Sequence, residues 1–121
     1  MQDDDKFTTT FRPVSLRDPP PVRIESGDGS IWAHPNSGHV RAQAGAPLEF
    51  TCATLFEIEI RQIGGTKQDW PALKVIPAGG RFVCSTTVPD CTAGPGPYYK
   101  YTIRLGELTL DPIIIVDKKP Q

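Results

Sequence analysis

Apolar and polar residues alternate along most of this chain in short runs that glycine- and proline-rich turns separate. The clearest run spans residues 56–61, where every second residue is apolar, and Tyr98–Leu105 repeats the pattern with Tyr99, Tyr101 and Ile103 in phase. On a pleated strand such residues share one face, whereas a helix would spread them around its cylinder. The pattern therefore predicts β-strands throughout and no helix of ordinary length.

Further short runs with strand character follow one another at intervals of about 8–12 residues, as in sandwiches and small barrels. They span residues 22–25, 31–33, 40–44, 48–52, 81–87, 108–110 and 113–116. The last run is entirely apolar, so we expect it to be buried on both faces of its sheet. The sequence predicts an all-β Greek-key β-sandwich of about seven to eight strands.

The first 21 residues differ from the rest of the chain, being acidic, then threonine-rich, and ending in Pro19-Pro20-Pro21. A triple proline favours the polyproline II conformation and cannot join a central strand. We predict an N-terminal arm with a proline-rich spacer over residues 1–21 and a single sandwich domain over residues 22–121. A length of 121 residues fits one such domain.

Charge and hydropathy set limits on partners. The formal net charge is −1, and the sequence lacks the basic excess that phosphate binding requires, so we predict no nucleic-acid partner. No apolar run reaches membrane-spanning length, which predicts no membrane span. The start of the chain lacks the basic and apolar regions of a signal peptide, so we expect a cytoplasmic protein unless a signal has been removed.

Few residues offer chemistry. The candidate soft-metal ligands are His34, His39, Cys52, Cys84 and Cys91. They include no close pair such as Cys-x-x-Cys, so we predict no metal site and no cofactor. An odd number of cysteines fits reduced thiols, whereas a small disulfide-closed loop would suit an exported protein, so a Cys84–Cys91 disulfide is left open.

No residue set supports catalysis. The carboxylates Glu57 and Glu59 fall on the polar face of a predicted strand, where charged side chains normally contact solvent. The sequence contains no nucleophile elbow and no phosphate-binding glycine loop. We predict that the protein is not an enzyme and has no catalytic residues.

Three segments of the chain occur in the same order as similar segments in a known family of β-sandwiches. Residues 40–50 form a strand–turn–strand around Gly45-Ala46-Pro47, residues 76–80 read Ile-Pro-Ala-Gly-Gly, and residues 96–101 precede the closing apolar strand. In this order they resemble the cupredoxin-like β-sandwich family. That family holds copper with an upstream His, then a Cys, a second His and usually a Met. Here no His follows His39 and the only Met is Met1, so the resemblance implies a copper-less branch.

An immunoglobulin-like sandwich is the alternative fold, because Cys52, Trp70 and Cys91 follow the order Cys–Trp–Cys. The two cysteines are closer together than is usual for that pair. Pro89 also stands where a tyrosine corner would be. This alternative ranks second.

The arm and the exposed edges of an open sandwich favour a structural role. We predict a non-enzymatic interaction module that assembles with itself or with a larger protein complex through its N-terminal arm and sheet edges. Phe7 and Phe11 in the arm, with Trp70 and Tyr98 beside proline-containing loops, are the candidate protein-binding residues. The alternative function is a small metal-handling protein that binds copper or zinc through Cys and His.

Overall fold

Ten β-strands supply nearly all the regular structure in the computed structural model, which describes residues 17–90 and 96–117. In chain order they are β1 (Val22–Gly27), β2 (Ser30–His34), β3 (Val40–Gln43), β4 (Pro47–Cys52), β5 (Glu57–Gly64), β6 (Val75–Ala78), β7 (Arg81–Thr87), β8 (Tyr98–Leu105), β9 (Leu108–Leu110) and β10 (Ile113–Asp117). A 3-10 turn, Asn36–Gly38, joins β2 to β3.

The strands form two mixed sheets. Sheet I has the order β2-β1-β4-β7-β6, and sheet II has the order β3-β10-β8-β5 with β9 also paired to β8. β1 runs parallel to β4 and β3 runs parallel to β10, while the other pairs are antiparallel. The all-β sandwich is confirmed, with ten strands in place of the predicted seven to eight. The Greek-key connection stays a prediction.

The core lies between the two sheets and follows the predicted alternation. Tyr99, Tyr101 and Ile103 of β8 are buried, and so are Leu48 and Phe50 of β4 in the opposite sheet. The rings of Phe50 and Tyr101 meet across the sheets with their centroids 5.1 Å apart. Full burial of a large apolar side chain contributes about 1.5–3 kcal/mol, so this layer supplies much of the stability.

Tyr101 also fixes the connection that carries the chain from sheet I to sheet II. Its buried hydroxyl donates a hydrogen bond to the carbonyl of Gly38, and burial raises the pKa of Tyr101. Gly38 has φ = 87°, and a Cβ there would lie 2.9 Å from the ring of Pro112 and 3.1 Å from Ala33. Only glycine fits this left-handed, crowded position without strain.

One expectation about the core is wrong. Ile114 and Val116 of β10 are buried, but Ile113 and Ile115 are only half-buried. They alternate with the buried Ile114 and Val116 and so point to the outer face of sheet II. Apolar residues on both faces of this strand therefore do not mean burial on both faces. No helix in the described ranges is long and apolar enough to cross a membrane.

Candidate protein-binding surface

Besides the three-residue β9, four strands of the described residues lie at sheet edges, and they differ in length and in how well they are protected. β2 has five residues, β3 has four, and β6 has four including Pro77, which lacks an N–H group. β5 has eight residues. In residues 17–90 and 96–117, β5 pairs with β8 on one side and with no strand on the other. Such an edge presents backbone donors and acceptors to an added strand.

The apolar face of β5 is incompletely covered. Ile58 and Ile60 lie opposite Ile103 and Tyr101 in the β5–β8 register. Ile103 and Tyr101 are 0% exposed, whereas Ile58 and Ile60 are half-buried and pack against the edge of the core. A strand added beside β5 would remove this remaining apolar surface from water, which favours binding.

The end of β5 is fixed by one side chain. The amide of Gln62 donates hydrogen bonds to the carbonyls of Gly64, at 2.8 Å, and Thr66, at 2.7 Å. Its side-chain oxygen accepts from the backbone N–H of Gln68 at 3.0 Å. The β5–β8 register shifts between Gln62 and Gly64, so the regular part of the edge ends at Gln62.

Charged side chains occupy the outer face of β5. Glu57, Glu59 and Arg61 are exposed, and Glu59 lies 3.4 Å from the guanidinium of Arg104. Because both partners are largely exposed, such an ion pair contributes less than about 1 kcal/mol to stability. The outer face of β5 is therefore charged and exposed, and its one ion pair is weak enough for a partner to compete with it.

Two exposed apolar residues at the ends of this edge were not among the predicted site residues. Leu55 is 63% exposed just before β5, and Ile63 is 47% exposed near its end. The sequence does indicate an exposed position for Ile63. It lies an odd number of residues from Ile60, so on a regular strand its side chain falls on the opposite, polar face. No pattern marked Leu55.

Tyr98, a predicted binding residue, lies on the surface beside this edge. It is 43% exposed, pairs with Gly64 of β5, and its ring covers that glycine so closely that a side chain there would overlap it. On its other side it pairs with Ile115 of β10. Tyr98 therefore extends the outer surface of β5 across sheet II, and its part in binding stays a prediction.

Trp70, the second predicted residue in the described ranges, lies in the connection between β5 and β6 and is half-buried. Its indole N–H donates to the hydroxyl of Thr86 at 2.9 Å, and its ring meets Tyr99 edge-on with centroids 5.0 Å apart. Tyr99 in turn donates to the carbonyl of Gln68 at 2.5 Å. These contacts attach the connection to the core. A binding role for Trp70 stays a prediction.

Phe7 and Phe11 of the arm lie outside the described residues, but the point where the arm meets the sandwich is visible. Pro19 is half-buried between two shallow clefts. Pro35, Val40 and Arg41 help to line the first cleft, and Pro47, Leu48 and Glu49 help to line the second. The spacer residue Pro19 therefore lies beside β3, at the opposite edge of sheet II from β5, and beside β4 of sheet I.

The cysteines in the described ranges belong to the core. Cys52 and Cys84 are buried free thiols, and burial raises the pKa of Cys84. Cys91 lies outside the described residues. A buried thiol with a raised pKa is a poor nucleophile and a poor metal ligand, because both roles need the thiolate.

The histidines occupy different environments. His34 lies on the surface with its Nε2 3.2 Å from a carboxylate oxygen of Glu25, and this hydrogen bond lowers the pKa of Glu25. The Nδ1 of His39 accepts a hydrogen bond from the backbone N–H of Ile113 at 3.1 Å, and burial lowers the pKa of His39. No group of three His, Cys, Asp or Glu side chains that could hold a metal ion occurs among residues 17–90 and 96–117.

Comparison with known proteins adds no assignment: no protein-family model matches the chain, and no curated protein matches it. The resemblance to cupredoxin-like sandwiches therefore stays a prediction. The features that bear on function are the open edge strand β5 and the sequence of the N-terminal arm.

Proposed function

We propose that this protein is a non-enzymatic structural and interaction module, which assembles with itself or with a larger protein complex through its sheet edges and N-terminal arm. One observation carries the proposal. The eight-residue strand β5 is paired on one side only within the described ranges, and its apolar residues Ile58 and Ile60 are only half-buried. An open edge with uncovered apolar side chains is a common site of strand addition.

The arm is the second part of the proposal. Ordering a backbone costs roughly 1–2 kcal/mol per residue, and the polar sequence of residues 1–16 offers little apolar surface to offset that cost. A neighbouring molecule supplies the missing contacts, with Phe7 and Phe11 as the anchors in its groove. The spacer contacts the sandwich at Pro19, beside β3, which is the edge of sheet II opposite β5.

Deletion of residues 1–18 tests the arm. We expect a chain that still unfolds cooperatively, because the described core contains no residue before Val22. Its mass by light scattering is expected to be lower than that of the assembly that the full chain forms. A shortened chain that fails to fold would show that the arm belongs to the sandwich. Monomers in both cases would contradict self-assembly through the arm.

We also propose that the domain is a copper-less relative of the cupredoxin-like sandwiches. Two of the resembling segments supply turns between strands, which supports this: Gly45 with φ = 85° between β3 and β4, and Gly79-Gly80 between β6 and β7. Cu(II) added to the reduced protein is then expected to give no intense visible thiolate-to-copper band. A strong blue colour would favour the metal-handling alternative.

A further inference from the structure

We propose that β5 pairs antiparallel with β5 of a second copy, about a two-fold axis that passes through Ile60, so that the two sheets II become one continuous sheet. The proposal rests on the proposed function, since it names the partner of the open edge. Isologous two-fold contacts are the commonest way in which identical chains associate.

The alternation of β5 restricts the possible registers. Residues directly opposite each other in an antiparallel pair point to the same face, so a register that keeps Ile58 and Ile60 on the core side must be centred on a residue, not between two. The regular edge runs from Glu57 to Gln62. Glu59 and Ile60 are the two middle residues of this segment, so a register centred on either of them pairs the largest part of the regular edge.

Charge decides between these two registers. Centring on Glu59 places Arg61 opposite Glu57 of the second copy, but it also places the two Glu59 carboxylates opposite each other, which is unfavourable. Centring on Ile60 places Glu59 opposite Arg61 of the second copy, and Arg61 opposite its Glu59. Opposite charges in directly opposed positions stabilise a sheet, whereas like charges destabilise it. Because Glu59 and Arg61 flank Ile60, a two-fold axis through Ile60 pairs the acidic residue of each copy with the basic residue of the other.

The apolar residues of the edge are compatible with both registers, because each register brings isoleucines of the two copies together on the core side. In the register centred on Ile60, Ile60 faces Ile60 of the second copy at the axis and Ile58 faces Gln62, so the half-buried isoleucines are covered further. Antiparallel pairing also brings the start of one strand beside the end of the other. In the register centred on Ile60, Ile63, which is 47% exposed, lies directly opposite Glu57 of the second copy, and Leu55, which is 63% exposed, is two residues before Glu57, so Leu55 and Ile63 approach each other diagonally across the interface.

Charge exchange tests the register in the full chain. Glu59→Arg and Arg61→Glu are each expected to weaken self-association about tenfold or more, because each turns two attractive pairs into two repulsive ones. An equimolar mixture of the two variants is expected to recover association as a mixed dimer. The double variant Glu59→Arg/Arg61→Glu is expected to associate with itself, because both pairs are restored with their signs reversed.

The controls carry the same charge changes elsewhere on the surface. Glu107→Arg in the β8–β9 turn and Lys74→Glu before β6 change exposed residues away from the β5 edge, and are expected to leave the association constant within about twofold of wild type. Sedimentation equilibrium measures association, and thermal unfolding shows that every variant remains folded. Association should also weaken as salt concentration rises.

The outcomes separate the two proposals. An assembly whose mass is unchanged by Glu59→Arg and Arg61→Glu, but falls when residues 1–18 are removed, would overturn β5 self-pairing and leave assembly through the arm standing. Single variants that fail to associate even when mixed would also overturn the proposed register. A wild-type chain that is monomeric at every concentration would contradict β5 self-pairing and self-assembly together.

Discussion

Strands β5 and β8 are neighbours in sheet II, have the same length and carry the same alternation of apolar and polar residues, yet they meet different surroundings. β8 has strand partners on both sides, and its inward residues Tyr101 and Ile103 are 0% exposed. β5 has one partner in the described ranges, and its Ile58 and Ile60 are half-buried. The same alternation therefore produces a buried core face on β8 and an incompletely covered face on β5.

The difference follows from position and not from composition. A side chain in a central strand is covered by both neighbouring strands as well as by the opposite sheet, whereas a side chain at an edge lacks one of these neighbours. Substitutions in matched positions of β8 and β5 therefore separate the contribution of the core from that of the edge.

The largest expected effect is on core packing. Ile103→Ala should lower the free energy of unfolding by about 2–5 kcal/mol, because a fully buried side chain leaves a cavity. Ile58→Ala removes the same atoms from the directly paired position and should cost less, about 1–2 kcal/mol, because the site is already partly hydrated. Urea denaturation of dilute, monomeric protein measures both. Equal losses would contradict the distinction between centre and edge.

The next effect concerns the hydroxyl of Tyr101. Tyr101→Phe leaves the buried carbonyl of Gly38 without this donor and should cost about 1–3 kcal/mol. Tyr98→Phe is the matched control on the same strand, because Tyr98 is 43% exposed, and it should change stability by less than about 0.5 kcal/mol. A loss at Tyr98 as large as at Tyr101 would mean that the connection between the sheets is not held by this hydrogen bond.

Most of the core could be predicted from the sequence, because alternation states directly which side chains share a face. The inward positions of Tyr99, Tyr101 and Ile103 are confirmed in this way. Alternation does not state what covers a face. The two-sided burial predicted for β10 is wrong at Ile113 and Ile115, which lie on the outer face of sheet II and are only half-buried.

Hydrogen bonds between residues distant in the chain could not be predicted from the sequence pattern. Alternation places Thr51 on the face of β4 opposite Phe50 and Cys52, yet Thr51 is 7% exposed, and Arg81 donates to its hydroxyl at 2.9 Å. The hydrogen bond from Trp70 to Thr86 likewise depends on where the β5–β6 connection folds back. For the candidate site, the alternation predicted a strand at β5, but only the sheet order identifies it as the longest edge.

A smaller, pH-dependent effect extends the comparison to β3, the other edge strand of sheet II. Burial lowers the pKa of His39 below its ordinary value of about 6.5, so below that pH the unfolded chain binds more protons than the folded one. Stability is then fully present above about pH 6.5 and is lost as pH falls through the folded pKa. His39→Gln keeps an acceptor for the N–H of Ile113 without titrating, and should flatten this dependence in thermal unfolding scans. The matched exposed control is His34→Gln.

The smallest expected effects lie on the outer face of sheet II, where β5 and β8 are alike. Lys100 of β8 and Glu59 of β5 both point away from the core, and replacing either with Ala should change the free energy of unfolding by less than about 0.5 kcal/mol. A loss at Lys100 larger than that of Ile103→Ala would show that β8 is displaced by one residue, since such a shift exchanges the two faces. If the faces are correct, Glu59→Ala changes association while leaving stability almost unchanged. The free energy of unfolding would then report on the core residues of β8, and self-association would report on the edge residues of β5.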